Sequence, residues 1–158
     1  RAGLTPMLAG RSADDVVNYA RSVGCVARPF ALDQPNVVRE NLRDVALVVN
    51  LAGPFAQTNR PLIEGCLATG AHYIDIAGEY AEMETAYAYD TPARQAGVML
   101  MPGAGFGVVP TDLAAQQAVA ALPGATTLTI GFATVGGVSR GTLQTVLADI
   151  HRPGVRRV

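Results

Sequence analysis

The run Val45–Leu51, VALVVNL, is apolar at every position except Asn50. A strand of that kind has no polar face to offer water. It belongs in the middle of a parallel sheet that is covered by helices on both sides. The flanking sequence repeats the theme: Thr5–Gly10 (TPMLAG), Cys25–Leu32, His72–Ile76 (HYIDI) and Val98–Met101 all read as short strands. Helical patterns separate them. Ser12 stands at an N-cap position, Asp14 and Asp15 follow in the first turn, and Val16, Tyr19, Ala20 and Val23 share one face before Gly24. Pro35 opens a second short helix. Leu62, Ile63, Cys66 and Leu67 form the stripe of a third, stopped at Gly70. Ala81–Gly97 reads as helical with a break before Pro92, and Thr111–Leu122 as a further helix.

Strands alternating with helices across short Gly- or Pro-containing links mean βαβ units. Right-handed crossovers then favour an α/β fold with a doubly wound, Rossmann-type parallel sheet. A barrel needs eight such units, and about five are visible. After Pro123-Gly124 the pattern changes. Thr126–Val135 (TTLTIGFATV) alternates like a half-exposed antiparallel strand, and Gly141–Ile150 reads as a helix. The expected division is therefore a dinucleotide-type domain over residues 1–124 and the start of a second, α+β substrate or dimerisation domain over 125–158. The sequence opens at Arg1 without Met, so the expectation is a truncated sheet within a longer protein, with material missing on both sides.

Composition narrows the function classes. The 158 residues are 49% apolar and 16% charged, with a net charge of −1. Such a chain can bury enough apolar surface to fold, and it has no basic surplus for a nucleic-acid partner. All 12 basic residues are Arg, which removes Schiff-base and Walker-lysine chemistry. Cys25 and Cys66 form no CxxC pair, so neither a disulfide framework nor a metal site is expected, and a reducing cytoplasm suits them. No apolar run approaches the roughly 18 residues of a membrane span.

Ligands of an open parallel sheet sit beyond the carboxyl ends of its strands. The residues there are Gly10-Arg11-Ser12, Asp33, Asn50–Phe55, Asp75–Glu79 and Pro102–Pro110. A GxGxxG phosphate fingerprint does not follow the first strand. GAGFG (Gly103–Gly107) is a decoy, because its third Gly comes one place early and no acid ends the next strand. The expectation is that the fingerprint precedes Arg1 in a longer reading frame.

Four segments carry a family likeness: LAGR (Leu8–Arg11), VVNLAGPF (Val48–Phe55), PLIEGCLATGAHYIDIAGE (Pro61–Glu79) and GFGVVPTDLA (Gly105–Ala114). Together they resemble the saccharopine dehydrogenase-like oxidoreductases, a group that includes trans-acting enoyl reductases of lipid synthesis. GGVSRGT (Gly136–Thr142) is similar to the element opening that family's second domain. The resemblance implies NADP as cofactor, with NAD the lesser candidate, and hydride transfer to or from a C=N, C=O or C=C bond of a small-molecule substrate. Arg11 sits where an NADP enzyme of this fold needs a cation for the 2′-phosphate, and Ser12 adds a donor. Asp33 suits an adenine contact, or an N-cap. Asn50, Ala52, Gly53, Pro54 and Phe55 correspond to the loop flanking the cofactor. Asn50, polar within an apolar strand, must find a partner in ligand or in nearby backbone. Asp75, Gly78 and Glu79, with Gly105 and Phe106, are the candidates to line the substrate site. For the two carboxylates, backbone hydrogen bonding and helix capping compete with proton transfer. No catalytic residue is singled out. A non-catalytic dinucleotide sensor or scaffold is the rival reading. Exposed strand edges lead to the expectation of a homo-oligomer with Thr126–Val135 in the contact.

Overall fold

The computed structural model describes residues 4 and 6–131. Within them, β1 (Met7–Gly10), α1 (Ala13–Val23), β2 (Val26–Pro29) and α2 (Pro35–Leu42) form the first part. The second part is β3 (Leu47–Asn50), α3 (Phe55–Thr69), β4 (His72–Asp75), α4 (Tyr80–Tyr87), α5 (Asp90–Ala96), β5 (Leu100–Met101) and α6 (Val109–Ala121). Every described strand pairing is parallel. Strand β1 pairs with β2, Met7 level with Val26 and Gly10 with Pro29. A second sheet runs β3-β4-β5, with Asn50 level with Asp75 and Ile74 with Met101. In a doubly wound sheet of strand order 3-2-1-4-5-6, these are places 3-2 and 4-5-6. No described strand takes the place between β1 and β3.

What joins the two parts is α2 lying against α3. Val38 and Leu42 of α2 meet Leu62, Ile63 and Cys66 of α3, and Ala71, Tyr73 and Ala86 complete the core. Gly65 permits this approach. A Cβ there would sit 2.7 Å from Val38 Cγ1 and 3.0 Å from Leu42 Cδ1. Helix α3 begins at Phe55, well before its apolar stripe, and stops where Gly70 takes φ 78°, a left-handed conformation unfavourable for other residues. The helical stretch after β4 divides into α4 and α5 at Ala88-Tyr89, just ahead of Pro92, which the first turn of α5 accommodates.

Three expectations need correction. Strand β3 is flanked by β4 on one side only among the described residues, and only one of its faces is covered. Val48 packs on the core while Leu47 and Val49 are 42% and 53% exposed. An apolar run reports what a strand could bury, whereas the neighbours present decide what it does bury. On α1, Ala20 is buried but Tyr19 and Val23 are exposed, because a two-stranded sheet is too narrow to cover the whole helix face. Residues 125–131 take no regular secondary structure, and Leu128 and Ile130 are exposed. A strand needs a hydrogen-bonding neighbour, and none lies beside this segment among the described residues. The rest of Thr126–Val135 and the helix expected at Gly141–Ile150 lie outside those residues.

One polar clasp reinforces the joint. Arg28 on β2 donates to both carboxylate oxygens of Asp44, at 2.5 and 2.8 Å, and to the Asn41 carbonyl at 2.6 Å. The Arg28 hydrogen bonds hold the Asp44 carboxyl down at about 2. A carboxylate whose pKa is lowered by folding stabilises the fold above its unfolded pKa, and that contribution disappears as pH falls through the folded value. Thermal unfolding of Asp44→Asn should therefore show a Tm deficit near neutral pH that shrinks between about pH 4 and pH 2. A deficit of constant size across that range would mean that the charge of Asp44 is not what matters. Gly65→Ala, measured by denaturant unfolding, should cost about 1–2 kcal/mol, as overpacking outweighs the gain in helix propensity.

Candidate functional site

The loops that leave the carboxyl ends of β3, β4 and β5 are tied by one buried polar network. Asp75, 0% exposed at the end of β4, is its acceptor. Its Oδ1 accepts the backbone amides of Ala77 at 3.0 Å and Gly103 at 2.8 Å, and its Oδ2 accepts the Tyr73 hydroxyl at 2.8 Å. The Tyr73 oxygen in turn accepts from Asn50 Nδ2 at 3.1 Å. Asn50 also donates to Thr58 Oγ1 at 3.0 Å and accepts the Ala52 amide at 3.0 Å, while the Thr58 hydroxyl donates to the Ala52 carbonyl at 2.7 Å. Burial pushes the Tyr73 phenol far above its usual range, a tendency that the Asn50 hydrogen bond opposes. Tyr73 thus holds its proton and can donate it only to Asp75.

This geometry sorts the sequence-derived candidates. Asn50 and Asp75 do find their partners, and the partners are protein groups. Both stand behind the carboxyl edge rather than on it. On the edge lie Ala52 and Gly53, which are exposed, and Pro54 and Phe55, which are half-buried where α3 begins; the Gly53–Pro54 peptide is cis. Gly78 is exposed and donates to the Glu79 carboxylate at 2.9 Å. Glu79 occupies the N-cap position of α4, yet its side chain makes no capping bond to the helix. Gly105 packs directly on the neighbouring loop, because a Cβ there would lie 2.9 Å from both the Ile76 carbonyl oxygen and its Cβ. Phe106, next along, is 70% exposed.

At the other sheet, Arg11 is exposed and makes no hydrogen bond or ion pair among the described residues. Ser12 takes the N-cap position of α1 with its hydroxyl unbonded to the helix, so the first amides of α1 have no side-chain cap. Asp33 is exposed between β2 and α2, and the N-cap there is Gln34 rather than Asp33. Helix α6 is capped by Val108, so Thr111 lies inside its first turn, donating to the Gly107 and Val108 carbonyls.

Thr58 and the Gly103 amide escaped the sequence reading. A threonine one turn into an apolar helix has no distinguishing local signal, and a backbone amide has none at all. Tyr73 lies in the strand segment HYIDI, where nothing local marks its hydroxyl as a link. Cys66 is core, its thiol pushed up to about 12 by burial. No cluster of potential metal ligands exists among the described residues, and no helix there is long and apolar enough to cross a membrane.

Comparison with known proteins adds three findings. Residues 4–101 match the family model of the saccharopine dehydrogenase NADP binding domain. A Mycobacterium tuberculosis protein named among the trans-acting enoyl reductases is 30% identical, over 89% of this chain and 36% of its own length. A Bos taurus saccharopine dehydrogenase-like oxidoreductase is 28% identical, over 73% of this chain and 26% of its own. The chain therefore spans about a third or less of these relatives. Among solved structures, saccharopine dehydrogenase (L-Glu forming) from Saccharomyces cerevisiae superposes with a TM-score of 0.67, over 78% of this chain and 26% of that one. At 14% identity the likeness concerns the fold.

Asp75→Ala would leave two buried amides and a buried hydroxyl without an acceptor, and should cost about 3 kcal/mol of stability. Glu79→Ala should stay within about 0.5 kcal/mol. Denaturant midpoints of the two variants measure the contrast.

Proposed function

The chain belongs to the family of the saccharopine dehydrogenase NADP binding domain, and on that premise we propose that it is the dinucleotide-binding part of an NADP-dependent oxidoreductase. The observation that carries this reading is Arg11. It follows β1 at the strand's carboxyl end, beside the uncapped start of α1, and its guanidinium is committed to nothing else among the described residues. A forked guanidinium matches a 2′-phosphate, and the uncapped amides with the Ser12 hydroxyl complete an anion site. Asp33, after the next strand, faces the adenine in this reading. Asp14 and Asp15 bring negative charge into the first turn of α1 and count against this reading unless they lie along the helix surface.

The described residues fit two of the three parts of a dinucleotide. Arg11 and Ser12 hold the adenosine end; Ala52, Gly53, Pro54 and Phe55, at the start of α3, flank the nicotinamide end. The Gly-rich backbone on which a pyrophosphate rests has no counterpart among them. Bound NADP(H) would give or take up the hydride, in transfer to or from a C=N, C=O or C=C bond of a small molecule. Gly78, Glu79, Gly105 and Phe106 line the site of that molecule in this reading, and residues 125–158 begin a substrate or dimerisation domain. Two free thiols, one of them buried, support a reducing, cytoplasmic setting. We also assign the segment Thr126–Val135, whose Leu128 and Ile130 are exposed, to self-association of the chain together with the exposed Leu113 and Val119 of α6 and Leu122 just past its end, which sedimentation at micromolar concentration would detect as a dimer.

Two outcomes test the cofactor reading. Calorimetric titration of the 158-residue chain with NADPH should give weak, roughly millimolar binding, since no phosphate loop contributes. Measured in a full-length protein that contains this chain, Arg11→Ala should weaken NADPH by about 1.5–3 kcal/mol and leave NADH nearly unchanged, the scale of hydrogen bonds to a charged group. Equal losses for both cofactors would remove the case for NADP at this position.

A further inference from the structure

We propose that Tyr73 is a positioning residue that sets the loops after β3, β4 and β5 against one another, an assignment resting on the reading of those loops as the walls of the cofactor crevice. Tyr73 is fully buried and touches none of that crevice itself. Its hydroxyl nevertheless stands in the middle of the chain of bonds that reaches all three loops. On one side Asn50 and Thr58 hold both the amide and the carbonyl of Ala52. On the other Asp75 holds the amides of Ala77 and Gly103. Among the described residues the phenol is the one side-chain link between these two halves.

The chain of bonds also has a fixed direction. Asn50 spends one amide proton on Thr58 and the other on Tyr73, so the phenol oxygen is an acceptor toward β3. Its own proton then goes to Asp75, which receives three donors and gives none. No member can reverse without leaving another unpaired, which gives the network one arrangement rather than several. The Gly103 loop is held further by the Ala104 amide on the Asp75 carbonyl at 2.8 Å, and it carries Gly105 onto the Ile76 backbone. A displacement of Ala52 is therefore transmitted through Asn50, Tyr73 and Asp75 to the loop bearing Phe106.

The test is amide hydrogen exchange of the whole 158-residue chain, followed by NADPH titration read from the same amide resonances. Tyr73→Phe keeps the ring and removes only the link. It should speed exchange at Ala52, Ala77 and Gly103 by about tenfold, a hydrogen bond's worth, beyond any change at Val38 and Leu42 in the core. NADPH affinity should fall by about tenfold with it, since misplacing a binding loop is costly. Thr58→Val, at a half-buried position, tests the same coupling with little threat to folding. It should speed exchange at Gly103, a residue that Thr58 does not touch. Exchange at Ala52 and Gly103 that merely keeps step with Val38 and Leu42, or a Thr58→Val variant with Gly103 unchanged, overturns the proposal. A wild-type chain without any NADPH response overturns the cofactor reading alone, and the exchange pattern still decides the role of Tyr73.

Discussion

The carboxylate of Asp75 is buried at the end of the middle strand of a three-stranded sheet, and everything at the carboxyl edge depends on how it is satisfied. A polar group withdrawn from water is tolerated only when its hydrogen-bonding capacity is taken up. Here the donors come from three places: its own loop, the loop after β5, and the phenol of Tyr73 two residues back. The electrostatic demand of one side chain thereby dictates where two loop backbones must run. Asn50 has the same effect on the loop after β3, where it accepts the Ala52 amide while the Thr58 hydroxyl holds the Ala52 carbonyl. Because Asn50 is level with Asp75 across the β3–β4 pairing, both polar groups emerge on one face of the sheet with Tyr73 between them and below. Parallel register is what makes the network possible.

Packing supplies the second constraint. The described strands form two separate parallel groups, and backbone hydrogen bonds do not join them. Their relation rests on side chains: Val38 and Leu42 against α3 over Gly65, and the Arg28–Asp44 clasp from β2 to the turn before β3. The apolar contacts carry most of this joint, since Asp44 is largely solvated and an exposed ion pair is screened. The same arrangement explains why large apolar side chains on β3 and β5 remain open. Each sheet is covered on the face that its own helices reach.

Charge is distributed with similar economy. After β1, Arg11 stands exposed beside an uncapped helix start, an arrangement that costs little in solvent and that an anion would complete. Beyond β4 and β5 the described loops present backbone, Phe106 and the Glu79 carboxylate, which the Gly78 amide already engages. The two edges thus differ in chemistry, which is what the proposed placement of a dinucleotide across them asks for.

Much of this was written in local sequence. Alternation of short apolar runs with helical stripes determines the βαβ organisation; Gly24, Gly70 and Gly97 end helices because their φ values are positive; Leu62, Ile63 and Cys66 face the core because they recur at helical spacing. The carboxyl-edge loops were likewise legible, since a parallel sheet sends its loops there by topology. What local sequence could not determine was partnership. That Asn50 and Asp75 serve the protein backbone, that Thr58 belongs with them, that Leu47 and Val49 remain exposed, and that Gly105 rests on Ile76 all depend on residues distant in the chain. Periodicity encodes which way a side chain points along its own element. Only the packing of elements against one another decides what it meets there, and so whether a polar residue becomes a contact for a ligand or a strut behind one.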